Sequence, residues 1–283
     1  MLVHLLLLML YSSDSTETSE IDLDPSDFAG PNFSTRHGSV AENTQALTRG
    51  GYFEGDIYLS FPLKSYFQRR TISSSSGIAR NAIRDNWFLW PNGEIPYRIS
   101  DQFDSEERKL IASAINEYHL KTCLKWVPRQ LEETYVVFMK DDDCFSSVGR
   151  IGGRQTVSLG KDCMTKGIVM HEMMHVAGFF HEHTRPDRDD YIRIQWGNVD
   201  PALYGQFQIY TIREVDLMGT EYDYKSIMHY GSTAFSRNGE VTMLPLRPID
   251  GKLGGGNTFS STDLFKLNTL YKCFMTPSTI AST

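Results

Sequence analysis

The sequence predicts an α+β fold, and three observations carry that expectation. β-prone runs alternate with amphipathic helical stretches between about residue 80 and Gly178; the region after Gly178 is turn-rich and irregular with one more helical stretch; and the residues before 80 are poor in apolar side chains and end in a serine run. With 283 residues, 40% hydrophobic and 22% charged, the chain has a globular composition and enough length for one large domain and an appendage. The net charge of −7 comes from 35 acidic and 28 basic side chains, with no Lys/Arg-rich stripe, so nucleic acid is not an expected partner.

Taken in order, MLVHLLLLMLYSSDS is a leucine-rich run followed by small and polar residues, which reads as a secretion signal over residues 1–15. It lacks a basic leading region, so its boundary is open, and it is shorter than the roughly 20 apolar residues that span a bilayer. No membrane partner is expected. Beyond the leader, nothing reads as structured until about Leu47; this stretch holds the sequon Asn32-Phe33-Ser34, a candidate glycosylation site. The run TISSSSG reads as an exposed linker, and the core begins just after it with NAIRDNWFLWPNGEIPYRIS, where Ile95 to Ile99 form a β-prone run.

The next segment, DSEERKLIASAINEYHLKT, opens on a helix-capping candidate, Asp104, with Glu107 three residues on. Leu110, Ile111, Ala114, Ile115 and Tyr118 then recur at helical spacing, which makes Tyr118 and His119 packing residues rather than ligands. TYVVFM, SSVGRIGG and QTVSLG read as strands, residues 167–177 as a second helix, and 262–271 as a third. Cys123, Cys144, Cys163 and Cys273 form an even set in a chain expected to be secreted, which favours two disulfides and leaves three connectivities open. None lies in a C-x-x-C pair, so they are poor zinc candidates.

The chemistry concentrates in HEMMHVAGFFHEH. His171 and His175, four residues apart, share one helical face with Glu172 beside them; Gly178 can end the helix in a left-handed turn and swing His181 back as a third ligand. Three imidazoles and an open position describe a catalytic zinc site, whereas purely structural zinc sites are closed by four protein ligands. On this reading Glu172 is the general base for a water attacking a peptide carbonyl.

HEMMHVAGFFHEHTRPDRDDYI together with SIMHYG at 226–231 resembles the astacin family of zinc endopeptidases within the metzincin group, over about residues 81–273. The resemblance implies a two-lobed catalytic domain: a mixed twisted sheet with two long helices in the N-terminal lobe, and a mostly irregular C-terminal lobe with one helix. It implies the pairs Cys123–Cys273 and Cys144–Cys163, Met228 as the methionine turn beneath one zinc ion, and Tyr230 as an added ligand that later steadies the oxyanion. Residues 16–80 become a propeptide and 81–283 the catalytic domain with a short tail, with no further module expected after Cys273. FEGDI resembles the family's F-x-G-D motif, so Asp56 is expected on the zinc of a zymogen. A trypsin-like protease is expected to cut between Arg80 and Asn81, and Glu182 to pair, through water, with the new amine of Asn81. Residues 145–150 correspond to the strand that takes a protein or peptide substrate, and Arg247 and Lys252 are candidates for an acidic preference. A monomer is expected. A serralysin-type enzyme would carry glycine-aspartate repeats, which are absent; a catalytically silent secreted binding protein on the same fold is the alternative from a different class.

Overall fold

A computed structural model describes residues 18–29, 38–72, 80–83, 85–211 and 215–273. The leader at 1–15 and the Asn32 sequon lie outside these, as does most of the serine run. The elements, in chain order, are β1 (Glu20–Ile21), α1 (Thr44–Thr48), α2 (Phe61–Ile72), β2 (Arg80–Ile83), β3 (Glu94–Ser100), α3 (Ser105–Lys121), β4 (Lys125–Pro128), β5 (Tyr135–Met139), β6 (Cys144–Ser146), β7 (Arg154–Leu159), α4 (Lys166–Val176), β8 (Ile192–Ile194), β9 (Val215–Leu217), β10 (Met243–Pro245) and α5 (Ser261–Leu270).

Six strands form one mixed sheet in the order β1-β3-β5-β7-β6, with β4 also paired to β3. The pairs of β3 with β4 and β5, and of β5 with β7, are parallel, while β1 and β6 run antiparallel to their neighbours at the two ends. The central β5 is buried nearly throughout because it is apolar on both faces. α3 begins as expected: Asp104 accepts from the Glu107 N–H, and the Glu107 carboxylate accepts from the Asp104 N–H. Its Tyr118 is buried and donates to the carbonyl of Met170 at 3.0 Å, which ties α3 to α4; His119 bonds the backbone of Trp126. The later part of the chain carries short β8, β9 and β10 and then α5. Both disulfides pair as the resemblance implied, Cys123 with Cys273 and Cys144 with Cys163.

The main departures lie before residue 80. Residues 19–27 are structured although they are polar: Glu20 and Ile21 add a strand to β3, Leu23 is buried in the core, and Asp24 and Asp27 cap a short turn. The signal was too short to read, two strand residues followed by one helical turn. α2 was also unexpected, yet Leu63 and Tyr66 lie three residues apart and Phe67 follows. Leu63 and Tyr66 pack with Phe88, Phe180, Tyr210 and Val215 in a second apolar cluster, against which Phe67 is laid. The expected strand SSVGRIGG shrinks to β6 because Gly149, Gly152 and Gly153 all take positive φ.

Candidate metal centre

α4 sets His171 and His175 one turn apart. The helix then stops in a left-handed turn: the Gly178 N–H donates to the His175 carbonyl at 2.7 Å and the Phe179 N–H to that of Met174 at 3.2 Å, with Gly178 at φ +106°. A Cβ at Gly178 would stand 3.0 Å from Ile83 Cγ2. Turned back in this way, the chain lays His181 beside the first two histidines, and all three are fully buried.

Each ring is held from behind. Nδ1 of His171 lies 2.6 Å from the Ile227 carbonyl oxygen, Nδ1 of His175 2.7 Å from that of Phe179, and Nδ1 of His181 2.7 Å from Glu54 Oε2. These oxygens accept, so Nδ1 carries the proton in each ring and Nε2 turns a lone pair inward. Nε2 of His171 and of His181 are 3.2 Å apart, and Asp56 closes the group, with Oδ2 3.0 Å from His171 and Oδ1 3.2 Å and 3.1 Å from His175 and His181. Inward-facing acceptors at this spacing require a cation between them. Four ligands about 2.0–2.1 Å from a tetrahedral ion stand about 3.3 Å apart, so the set fits zinc.

Without the metal, protons make up part of the charge. Burial drives the His175 imidazolium down to about 4. Burial also works against a charged His181, but the Asp56 and then the Glu54 carboxylates overcome it and hold this group up at about 9. Burial would raise Asp56, yet the three imidazoles keep it well below the usual carboxylate range. Metal and protons therefore compete for the same atoms.

Glu172 is fully buried beside the cluster. Its Oε2 accepts from Ser146 Oγ at 2.7 Å, and its Oε1 has no hydrogen-bond partner among the described residues. Burial, and then the charge of Asp56, raise its carboxyl well above the ordinary range, while Ser146 opposes the rise. The Tyr230 ring stacks with His171 and lies tilted beside His181, and its hydroxyl donates to the Glu54 carbonyl at 2.7 Å. Met228 is buried, and its carbonyl accepts the Glu182 N–H at 2.9 Å. The preceding residue, Ile227, donates its N–H to Asp263 Oδ2 at 2.8 Å while its carbonyl steadies His171; Asp263 also caps α5, so the helix start holds the turn that orients a ligand.

Asp56 arrives on a segment laid along β6. The Ser146 N–H donates to the Asp56 carbonyl at 3.0 Å, the Tyr58 N–H to the Ser146 carbonyl at 2.8 Å, and Ile57 bridges Ser146 in parallel sense. Gly55, at φ +104°, lets the backbone pass where a Cβ would come within 2.9 Å of the Tyr230 hydroxyl. Glu182 is wholly buried, and its carboxylate receives Lys266 Nζ at 2.7 Å, Arg185 Nη1 at 3.0 Å and the Asp223 N–H at 2.9 Å. Arg80 and Asn81 lie in β2, which pairs with β9, and Ala82 bridges Phe179 next to Gly178. Arg247 lies over the ring of Tyr191, and Lys252 pairs with Glu42 at 3.1 Å in a largely exposed position.

Residues 82–272 match the family model described as Astacin, a peptidase family. The chain belongs to the astacin family. Among relatives of this astacin, zinc metalloproteinase nas-13 of Caenorhabditis elegans is 43% identical over 236 residues, covering 82% of this chain and 52% of the relative. Zinc metalloproteinase nas-15 of the same organism is 49% identical over 201 residues, covering 71% and 35%. The chain thus spans about half of one of these relatives and about a third of the other. In structure, the astacin is similar to high choriolytic enzyme 1, a hatching enzyme zinc-protease from Oryzias latipes, with a TM-score of 0.64 and 37% identity over 68% of this chain and 100% of that one.

Four residues at the site of this astacin escaped the sequence. Ser146 and Glu54 were visible only as neighbours of expected features, in the edge segment and in FEGD. Asp263 could have been found through Ser260-x-x-Asp263, a capping pattern at the head of α5. Lys266 carried no signal, since a lysine on a helix is ordinarily solvated.

Proposed function

We propose that this chain is a secreted zinc endopeptidase made as a latent precursor, with residues 16–80 as prosegment and protein or peptide substrates. The observation that carries the reading is the set of inward Nε2 atoms, with the Glu172 carboxylate beside them and one of its oxygens unpartnered among the described residues. Zinc, when bound, supplies Lewis-acid polarisation of a scissile carbonyl and brings the pKa of a water to roughly 7.

The remaining work falls to side chains. Glu172 Oε1 takes the proton of the attacking water and hands it to the leaving amine, while Ser146 fixes the other oxygen. Tyr230 gives up the Glu54 carbonyl and donates to the oxyanion. A substrate adds as a strand to β6, where residues 56–58 now lie, so backbone pairing supplies affinity and side-chain pockets supply selection.

In the precursor Asp56 fills the substrate side of the cluster, and a trypsin-like enzyme cutting between Arg80 and Asn81 severs the covalent link that holds it there. Glu182, already holding two cations, then receives the amine of Asn81 as a third. The decisive experiment is casein cleavage by the chain cut after Arg80, with and without a zinc chelator. Loss of activity with chelator and with Glu172→Ala is expected; activity surviving Glu172→Ala would sink the mechanism.

A further inference from the structure

The segment before residue 80 covers both ends of the six-stranded sheet. At the cleft end Ile57 bridges Ser146 of β6; at the other end Glu20 and Ile21 pair with Ser100 and Ile99 of β3. We propose that this far edge, with Arg98 on β3, Arg108 on α3 and Arg154 reaching it from β7, is a docking site for an acidic extended peptide. Residues 19–27 occupy it as an anchor that keeps the prosegment on the catalytic domain after the Arg80–Asn81 bond is cut. The inference rests on the latent-precursor reading given above.

Complementarity at this edge is of three kinds. Backbone pairing extends from the Asp101 N–H, which donates to the Ser19 carbonyl at 3.0 Å, through the two residues of β1. Charges match one to one: Asp22 with Arg98 at 2.7 Å, Glu20 with Arg154 at 2.7 Å, and Asp27 with Arg108 at 3.4 Å. Arg98 also donates to the Glu20 carbonyl at 3.0 Å, so it reads backbone and side chain together. Finally, Leu23 enters the main core and Asp27 is buried, its carboxylate accepting the Asp24 N–H at 2.9 Å to close the turn.

None of these contacts involves the bond that is cut. A prosegment held at two ends of one sheet rebinds at the cleft from a high effective concentration for as long as the far end stays docked. The Asp22–Arg98 and Glu20–Arg154 pairs are partly exposed, so each is individually weak and screened by salt. Retention should therefore weaken at high salt.

The test uses the full chain, cut by limited trypsin digestion and then inhibited, with the new N-terminus at Asn81 verified by sequencing and the prosegment of each variant verified by mass to be uncut, and follows co-elution of prosegment and catalytic domain on a sizing column over time. The wild-type prosegment is expected to co-elute and leave slowly. Glu20→Lys with Asp22→Lys is expected to release it at least about fivefold faster. The exchange Asp22→Arg with Arg98→Asp is expected to restore most of the retention that Asp22→Arg alone removes. Equal release from wild type and the double lysine variant would overturn the anchor, as would a failure of the exchange to restore retention. Because retention is read as co-eluting mass, it is decided whether or not the cut chain hydrolyses casein. The latency reading fails by a different result, activity in the uncut wild type.

Discussion

Ser146 donates its hydroxyl hydrogen to Glu172 Oε2 at 2.7 Å while its own backbone N–H and carbonyl pair with Asp56 and Tyr58. One residue thus holds the candidate base with its side chain and the segment 56–58 with its main chain. Ser146→Ala removes only the first link. A hydrogen bond to a charged group contributes about 1.5–3 kcal/mol, so kcat on a peptide substrate should fall about tenfold or more while KM changes little. Steady-state kinetics of the cut chain check this; an unchanged kcat would free Ser146 of any positioning role.

Gly55 tests the seat of the segment that carries Asp56. Alanine there meets the Tyr230 hydroxyl, the Leu47 carbonyl and the Phe235 ring within 2.9–3.1 Å, in a backbone conformation that disfavours any side chain. Gly55→Ala, like Asp56→Ala, should raise casein cleavage by the uncut chain. Precursors that stay as inert as wild type would argue against Asp56 as the latency switch.

The ion pair between Lys266 and Glu182 is almost wholly buried. Burial would raise the Glu182 carboxyl, but Lys266 and then Arg185 bring it below its ordinary range. The stability that this adds is complete above the unfolded value and is lost as pH falls through the lower folded one. Lys266→Met should therefore cost about 3–5 kcal/mol near neutrality, with a shallower loss on acidification. Urea melts at several pH values decide; equal acid slopes would remove Glu182 from the account.

Asp263 predicts the opposite trend. Burial, and then the charge of Asp223, raise its carboxyl to about 6. Between about pH 4 and that value the folded chain holds the extra proton, so stability falls as pH rises, by on the order of 3 kcal/mol. Asp263→Asn cannot titrate, so the gap in stability between wild type and variant should narrow across this window. A gap that stays constant would mean that the carboxyl is not raised.

Much of the site could be read locally. The face shared by His171 and His175, the reversal at Gly178 and the reciprocal cap of Asp104 and Glu107 each depend on residues within four positions of one another. Their physics fits inside a short window. Ser146 to Glu172, Ile227 to Asp263, Lys266 to Glu182 and Glu54 to His181 are separated by 26, 36, 84 and 127 residues, and become neighbours only when sheet, turn and the segment before residue 80 pack together. Residues 19–27 were unreadable for a related reason: a two-residue strand has no periodicity of its own and borrows its conformation from β3.

The Arg80–Asn81 bond sits inside β2, paired with Asp216 and Leu217 of β9 and continued by the Ile83 N–H on the Gly178 carbonyl. A protease must draw such a strand out alone before it can cut. For the proposed activation, the speed of the cut is then the cutter's intrinsic rate multiplied by the fraction of time β2 stands open, as long as reclosing outpaces cutting. Strengthening the β2–β9 ladder is expected to slow the proposed cut without touching the metal-site residues, Glu172 or Arg80 itself, so the tempo of that cut would be written into a strand pairing.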